Sequence, residues 1–306
     1  MKNTIFKVMA CVVCVSLSLL CLYFINVSKD NDNNTSVEYM HISVDDTVHC
    51  FENLADNSYQ SLFDEPFFNK LKILHDEYGA KFSLYTYTSV LEKVSDKYKS
   101  EFTASAGWLK VGFHSISYGF ILKDATYSQG LQYWNDFVSN VERVCGSVDS
   151  LDRLPRLEHF SGSHQALLGM RDANCGAKGF LSADDNRLSY YFDSEMMENL
   201  YDSDYLKDED NKLLFLSTDF RIDWFYNFTS NNKYKAPKKG SVYDELVYRN
   251  EEGSFKKSLK SLIVFMHEWL VYDGSSVNAK FDSVKDACEF ADKYNIGFDF
   301  AQNRSY

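Results

Sequence analysis

The chain has 306 residues, with 32 basic against 44 acidic side chains and a formal net charge of −12 at pH 7. At 45% hydrophobic and 16% aromatic it can bury a large core, which excludes a disordered, collagen-like or disulfide-dense miniprotein. The acidic balance excludes a nucleic-acid partner held by neutralising phosphates.

Lys2 and Lys7 precede Val8–Ile25, a run with no charge that approaches the ~20 residues of a bilayer-spanning helix. A polar Asn-rich stretch follows from Lys29, so the positive end should stay in the cytoplasm while the remainder crosses. Residues 1–27 are expected to be a signal-anchor, giving a single-pass protein of the cell membrane with its domain outside the cytoplasm. A cleaved signal peptide, and hence secretion, is the alternative. Leu19-Leu20-Cys21 resembles a lipobox, but Leu20 is bulky for that position.

Without Lys2 and Lys7 the remainder carries 30 bases and 44 acids. Of the seven cysteines, Cys11, Cys14 and Cys21 lie in the anchor. Cys50, Cys145, Cys175 and Cys288 show no CxxC spacing, so a disulfide and buried free thiols both stay open. Residues 28–38 read as a polar linker and 39–306 as one domain. That length suits a single α/β barrel.

Short apolar runs alternate with amphipathic stretches along the domain. His41–Val44 predicts a strand and Leu62–Tyr78 a helix, with Phe67, Phe68, Leu71, Leu74 and Tyr78 on one stripe and Gly79 ending it. Phe82–Tyr87 predicts a strand, Val90–Tyr98 a helix, Leu109–Phe113 a strand and Gly130–Val144 a helix. Arg156–Phe160 is a short fourth strand, followed by a helix over His164–Arg171. Gly179–Ser182, Leu213–Leu216 and Leu262–Met266 complete the strands, and Ser283 caps a last helix through Tyr294. The alternation implies a mostly parallel sheet.

Polar residues then gather at strand ends. Asp45-Asp46 follow the first strand, His114 the third, His159 the fourth, Asp184-Asp185 the fifth, Thr218-Asp219 the sixth and His267-Glu268 the seventh. In a closed barrel those ends share one face, where such folds place their chemistry. Adjacent aspartates point to opposite sides, so one can ligate a divalent metal while the other accepts a proton from water. Histidines from other strand ends complete a zinc-type set of nitrogen and oxygen ligands. A further histidine there could protonate a leaving amine.

Several phrases resemble a known superfamily. Val44-Asp45-Asp46 is similar to the first motif of the polysaccharide deacetylases (NodB homology, carbohydrate esterase family 4). Gly112-Phe113-His114-Ser115-Ile116-Ser117-Tyr118 resembles their His-Ser/Thr-x-x-His metal motif, and Phe265-Met266-His267 their final Leu-His motif. Pro155–Gly162 and Gly179–Asp185 look like a divergent branch.

The resemblance implies an α/β fold, a distorted (β/α)7 barrel of NodB type behind the N-terminal transmembrane segment. It implies Asp45 as general base, Asp46 and His114 as ligands of a divalent metal (Zn, with Co or Ni as alternatives), and His267 as general acid. Tyr118 departs from the pattern, standing where a second histidine ligand is expected; tyrosine, with a pKa near ~10, is a poor zinc ligand. His159 is the expected third ligand, Arg156 the arginine that orients the catalytic carboxylate, and Asp185 and Tyr118 substrate contacts. Asp185 could equally belong to a turn before Asn186.

The function these expectations imply is metal-dependent hydrolysis of a non-peptide C–N bond, removing acetyl from an N-acetylated cell-surface glycan. Two alternatives remain: an inactive deacetylase-like glycan-binding module and a structural envelope protein.

Overall fold

The computed structural model describes residues 37–56, 59–183, 189–227, 237–253, 255 and 260–304. The expected anchor, most of the linker and Asp184-Asp185 lie outside them. Among the described residues no helix is long and apolar enough to cross a membrane. Cys50, Cys145, Cys175 and Cys288 are free thiols, and all but Cys175 are buried.

Among the described residues ten strands form in chain order: β1 (Tyr39–Asp45), β2 (Phe82–Tyr87), β3 (Leu109–Ser115), β4 (Leu151–Asp152), β5 (Gly179–Leu181), β6 (Tyr205–Asp208), β7 (Leu213–Leu216), β8 (Phe220–Arg221), β9 (Ser261–His267) and β10 (Gly297–Phe298). One sheet runs β4-β3-β2-β1-β9-β8, with β10 on the start of β1, and a second runs β5-β7-β6. All pairings are parallel except β6 on β7.

Backbone hydrogen bonds join the two sheets. Lys178 N donates to Arg153 O at 2.8 Å and Leu181 N to Pro155 O at 2.9 Å, tying β5 to the chain leaving β4. On the other side β7 runs through Ser217–Asp219 into β8, and Asp219 N donates to Ile263 O of β9 at 2.9 Å. The circuit β1, β2, β3, β4, β5, β7–β8, β9 therefore closes on itself.

The two faces of β1 explain what fills this ring. Met40, Ile42 and Val44 join the large apolar core between strands and helices. His41, Ser43 and Asp45 alternate with them and face inward, because side chains on a strand repeat every two residues. Inside, Tyr85, Leu154, Leu181, Leu216, Ile263 and Ala301 form an apolar cluster. Phe160, Ala183 and Phe265 form another. Each fully buried Leu, Ile or Phe contributes ~1.5–3 kcal/mol of transfer free energy, so both layers are well supported.

Four elements differ from the sequence expectation. The helix expected at Leu62 starts at Pro66, after a short 3-10 turn. Proline disfavours a helical residue before it, and Glu65 there is extended, its carboxylate capping Phe67 N and Phe68 N. Val90–Tyr98 is no continuous helix; Thr88–Leu91 and Lys99–Ser105 flank a turn capped by Ser95. Ser283 lies inside the last helix, Asp282–Lys293, which continues directly from a turn capped by Asn278. Arg156–Phe160 is not a strand: His159 and Phe160 have φ of 54° and 53°, and Glu158–Phe160 forms a 3-10 turn.

Gly112 on β3 packs its α-carbon against the ring of Tyr85. A Cβ there would lie 2.2 Å from Tyr85 Cδ1, inside a fully buried interior. Gly112→Ala should lower stability by about 1–3 kcal/mol, as overpacking does. Chemical denaturation checks this, and an unchanged midpoint would show that the interior has slack.

Candidate metal centre

Asp45 ends β1, and its partner in register across the β1–β9 pairing is His267. The two sheet neighbours thus reach the same rim. Asp45 is 1% exposed and its Oδ1 accepts from Arg156 Nη1 at 2.9 Å. That guanidinium also donates to Ser43 Oγ at 2.9 Å and Thr218 Oγ1 at 3.1 Å. Its flat face lies 4.2 Å from the centre of the Phe265 ring. A buried arginine needs such partners, since an unpaired charge in the interior is prohibitively costly.

Asp46 follows with φ of 53°, in the left-handed region that aspartate tolerates better than most residues. The turn carries its carboxylate away from Arg156 toward His114. His114 Nε2 lies 3.3 Å from Asp46 Oδ1 and 3.7 Å from Glu158 Oε2. Asp46, His114 and Glu158 offer ligand atoms within 4.8 Å of one another. The Tyr87 hydroxyl donates to Asp46 Oδ1 and lies 2.6 Å from Glu158 Oε2, spanning both carboxylates.

The donor chemistry fits a divalent cation. His114 Nδ1 is 2.5 Å from the Arg156 carbonyl oxygen. A carbonyl can only accept, so Nδ1 carries a proton; Nε2 faces the two carboxylates, donating to Asp46 when the ring is charged and offering its lone pair to a cation when the ring is neutral. This is the usual outer partner of a metal-ligating histidine. One imidazole and two carboxylates suit Zn, Co and similar ions.

Electrostatics agree with the geometry. Burial acts to raise the Asp46 carboxyl, but the hydrogen bond and charge of His114, aided by His267 and Tyr87, hold it well below the usual range. Burial acts to lower His114, but Asp46, Asp45 and Glu158 raise it above its ordinary value. Burial, then Asp46 and Glu158, push the Tyr87 phenol far up, so it remains a donor.

His267 faces the same cluster, with Nε2 3.9 Å from Asp46 Oδ2. Its Nδ1 hydrogen-bonds Asp223 Oδ2, and its main-chain N donates to Asp223 Oδ1 at 3.1 Å. Arg221 Nε in turn donates to Asp223 Oδ2 at 2.8 Å. Burial acts to raise Asp223, but His267 and Arg221 hold it below the ordinary value. The Trp269 ring stacks on His267 with centres 5.2 Å apart and is 49% exposed.

Asp45, Asp46, His114, Arg156 and His267 thus come together. His159 stands outside the ligand cluster. Its side chain is 72% exposed and, among the described residues, pairs only with Glu158 Oε1, at 3.4 Å, because the left-handed turn aims Glu158 inward and His159 out. Tyr118 is 78% exposed at the rim, its ring edge-on to Tyr87 with centres 6.1 Å apart. Asp185 lies outside the described residues. Glu158, Tyr87 and Asp223 escaped the sequence reading. Glu158 adjoins a residue that reading selected, and Asp223 follows a strand end; Tyr87 gave no signal beyond its place at the end of β2.

Two predictions follow from the ligand set and its charges. Glu158→Gln should weaken Zn or Co binding by at least about tenfold, while His159→Ala stays within about twofold of the parent in calorimetric titration. The reverse ranking would reassign the third ligand. In metal-free protein the depressed Asp46 contributes stability above its unfolded pKa of 3.8, lost as pH falls through the folded value. The raised His114 contributes below its unfolded pKa of 6.5, lost as pH rises through the folded value. The stability removed by Asp46→Asn should therefore peak between those two pH values and shrink at alkaline pH, read by denaturant titration with chelator. A loss that grows with pH would contradict the pairing.

No protein-family model matches the sequence, and no curated protein matches it. Among solved structures, the chain is similar to a putative polysaccharide deacetylase from Mycobacterium smegmatis, with 11% identity over 85% of this chain and 84% of that one, at a TM-score of 0.48. It is similar to a family 4 acetyl xylan esterase from Clostridium thermocellum in complex with a cobalt ion, with 10% identity, 87% and 89% coverage and a TM-score of 0.43. A 4-alpha-glucanotransferase from Thermococcus litoralis matches at 11% identity and TM-score 0.48, over 87% of this chain and 40% of that one.

Proposed function

We propose that this chain is a divergent deacetylase-like hydrolase of the distorted (β/α)7 type, tethered outside the cell membrane by residues 1–27. Its proposed substrate is an N-acetylated sugar of a surface polysaccharide. The observation that carries this reading is the order of groups along one rim. An arginine-held carboxylate, Asp45, and an aspartate-held imidazole, His267, flank a cluster of Asp46, His114 and Glu158.

Hydrolysing an amide needs an activated water, a polarised carbonyl and a proton for the leaving amine. Asp46, His114 and Glu158 would hold a Zn, Co or Ni ion, which would supply Lewis-acid polarisation of the carbonyl and a more acidic water. Asp45 is fixed through Oδ1 by Arg156, so its other oxygen takes the proton from water. His267, its Nδ1 held by Asp223, gives a proton from Nε2 to the amine as the C–N bond breaks and acetate departs. The Asp223 carboxylate stabilises the imidazolium before that transfer. Exposed faces of Tyr118 and Trp269 suit stacking on a sugar ring.

A second reading, an inactive glycan-binding barrel, is favoured by Tyr118, whose exposed ring offers a stacking face and no nitrogen ligand. Acetate release from N-acetylchitooligosaccharides separates the two. His267→Ala should lower kcat by about 10²- to 10⁴-fold with metal content unchanged, and Asp46→Ala should abolish both metal uptake and activity. Activity surviving Asp46→Ala would sink the mechanism.

A further inference from the structure

The opposite end of the ring holds a second feature, unconnected with acetyl transfer. Around the starts of β3 and β4 and the residue before β5 lies a cavity of about 490 Å³. Its lining includes Lys110, Arg153 and Lys178 against one carboxylate, Asp149. Such a concentration of cations is notable in a chain of net charge −12. Lys110 and His114 stand four residues apart on β3, about 13 Å at ~3.3 Å per residue, so this cavity is separate from the metal centre.

The three cations are held by carbonyl oxygens and not by carboxylates. Lys110 is only 7% exposed; its Nζ donates to the Asp149 main-chain oxygen and sits 4.8 Å from the centre of the Phe300 ring. Arg153 Nε donates to Gly176 O at 2.8 Å, and among the described residues its terminal nitrogens make no hydrogen bond. Lys178 Nζ donates to Gln302 O at 3.1 Å. Among the described residues none of the three forms an ion pair. Burial pulls Lys110 below its ordinary value, and the charges of Lys81 and Lys178 add to this against the opposing pull of Asp152 and Asp149.

A nearly buried lysine without a paired carboxylate is uncommon, and cations crowded together in a partly enclosed space repel. A ligand of opposite charge would relieve both. We propose that this cavity binds a dianionic oxyanion group, phosphate or sulfate, carried by a small ligand. The free guanidinium fork of Arg153 matches two oxygens of such a group. Three cations less Asp149 leave a charge of two to match. The volume lies within the roughly 300–1,000 Å³ of small-ligand pockets, larger than a free phosphate needs.

The test is thermal unfolding of the full chain against inorganic phosphate, sulfate, pyrophosphate and glycerol phosphate, each matched in ionic strength with KCl. A saturable rise in Tm of a few degrees, absent with KCl, is expected. Arg153→Gln should remove it, and Lys178→Gln, at an exposed position that leaves folding intact, should weaken it severalfold. Asp46→Asn should leave it unchanged. Tighter binding of glycerol phosphate than of phosphate supports an organic phosphate, tighter binding of pyrophosphate alone supports a diphosphate group, and equal binding of all of them overturns the carrier and leaves the free anion. The proposal fails if KCl gives the same shift. It also fails if the shift persists in both basic variants or disappears in Asp46→Asn, which would assign the anion to the metal centre.

Discussion

The ion pair between Arg156 and Asp45 is the constraint on which the site depends. One guanidinium, fully buried, is bonded to two residues of β1 and to Thr218 beyond β7, and lies on Phe265 of β9. The same residue's carbonyl accepts a hydrogen bond from His114 Nδ1 of β3. Four parts of the ring are thereby set against one another by a single side chain and its own peptide. Removing either charge strands the other in a low-dielectric interior, at a cost of several kcal/mol. The pair therefore fixes the position of the Asp45 carboxylate and, through the same residue's carbonyl, the orientation of the His114 ring at once.

Around this fixed centre, short left-handed turns decide which atoms meet. Asp46 at φ 53° swings its carboxylate from Arg156 to His114, and the two residues after Glu158 bend the chain so that Glu158 enters while His159 leaves. Non-glycine residues in this conformation carry modest strain, of order 1 kcal/mol or more. It is offset by contacts that the turns create: Tyr87 on both carboxylates and His114 between them. The aspartate at 223 does comparable work for His267, gripping ring and main chain together.

Much of this was legible in the sequence. β7 and β9 announce themselves by apolar runs, because strands covered on both faces need them, and β1, β2 and β3 by apolar residues at every second position. The strand-end aspartates and histidines mark one rim once a parallel ring is assumed. β4, β8 and β10 are only two residues long and leave no periodic trace. The choice between Glu158 and His159 was not legible, since it hangs on two φ angles and not on composition. The basic cavity was equally hidden. Lys110, Arg153 and Lys178 are scattered in sequence, and only closure of the ring gathers them.

The most direct test of the central claim is a crystal of the protein grown with cobalt and measured at the cobalt absorption edge. The account predicts one anomalous peak at the strand-end rim, about 2.0–2.2 Å from Asp46 and Glu158 oxygens and from His114 Nε2. A peak on His159, or no peak at saturating cobalt with the three side chains ordered, would contradict it.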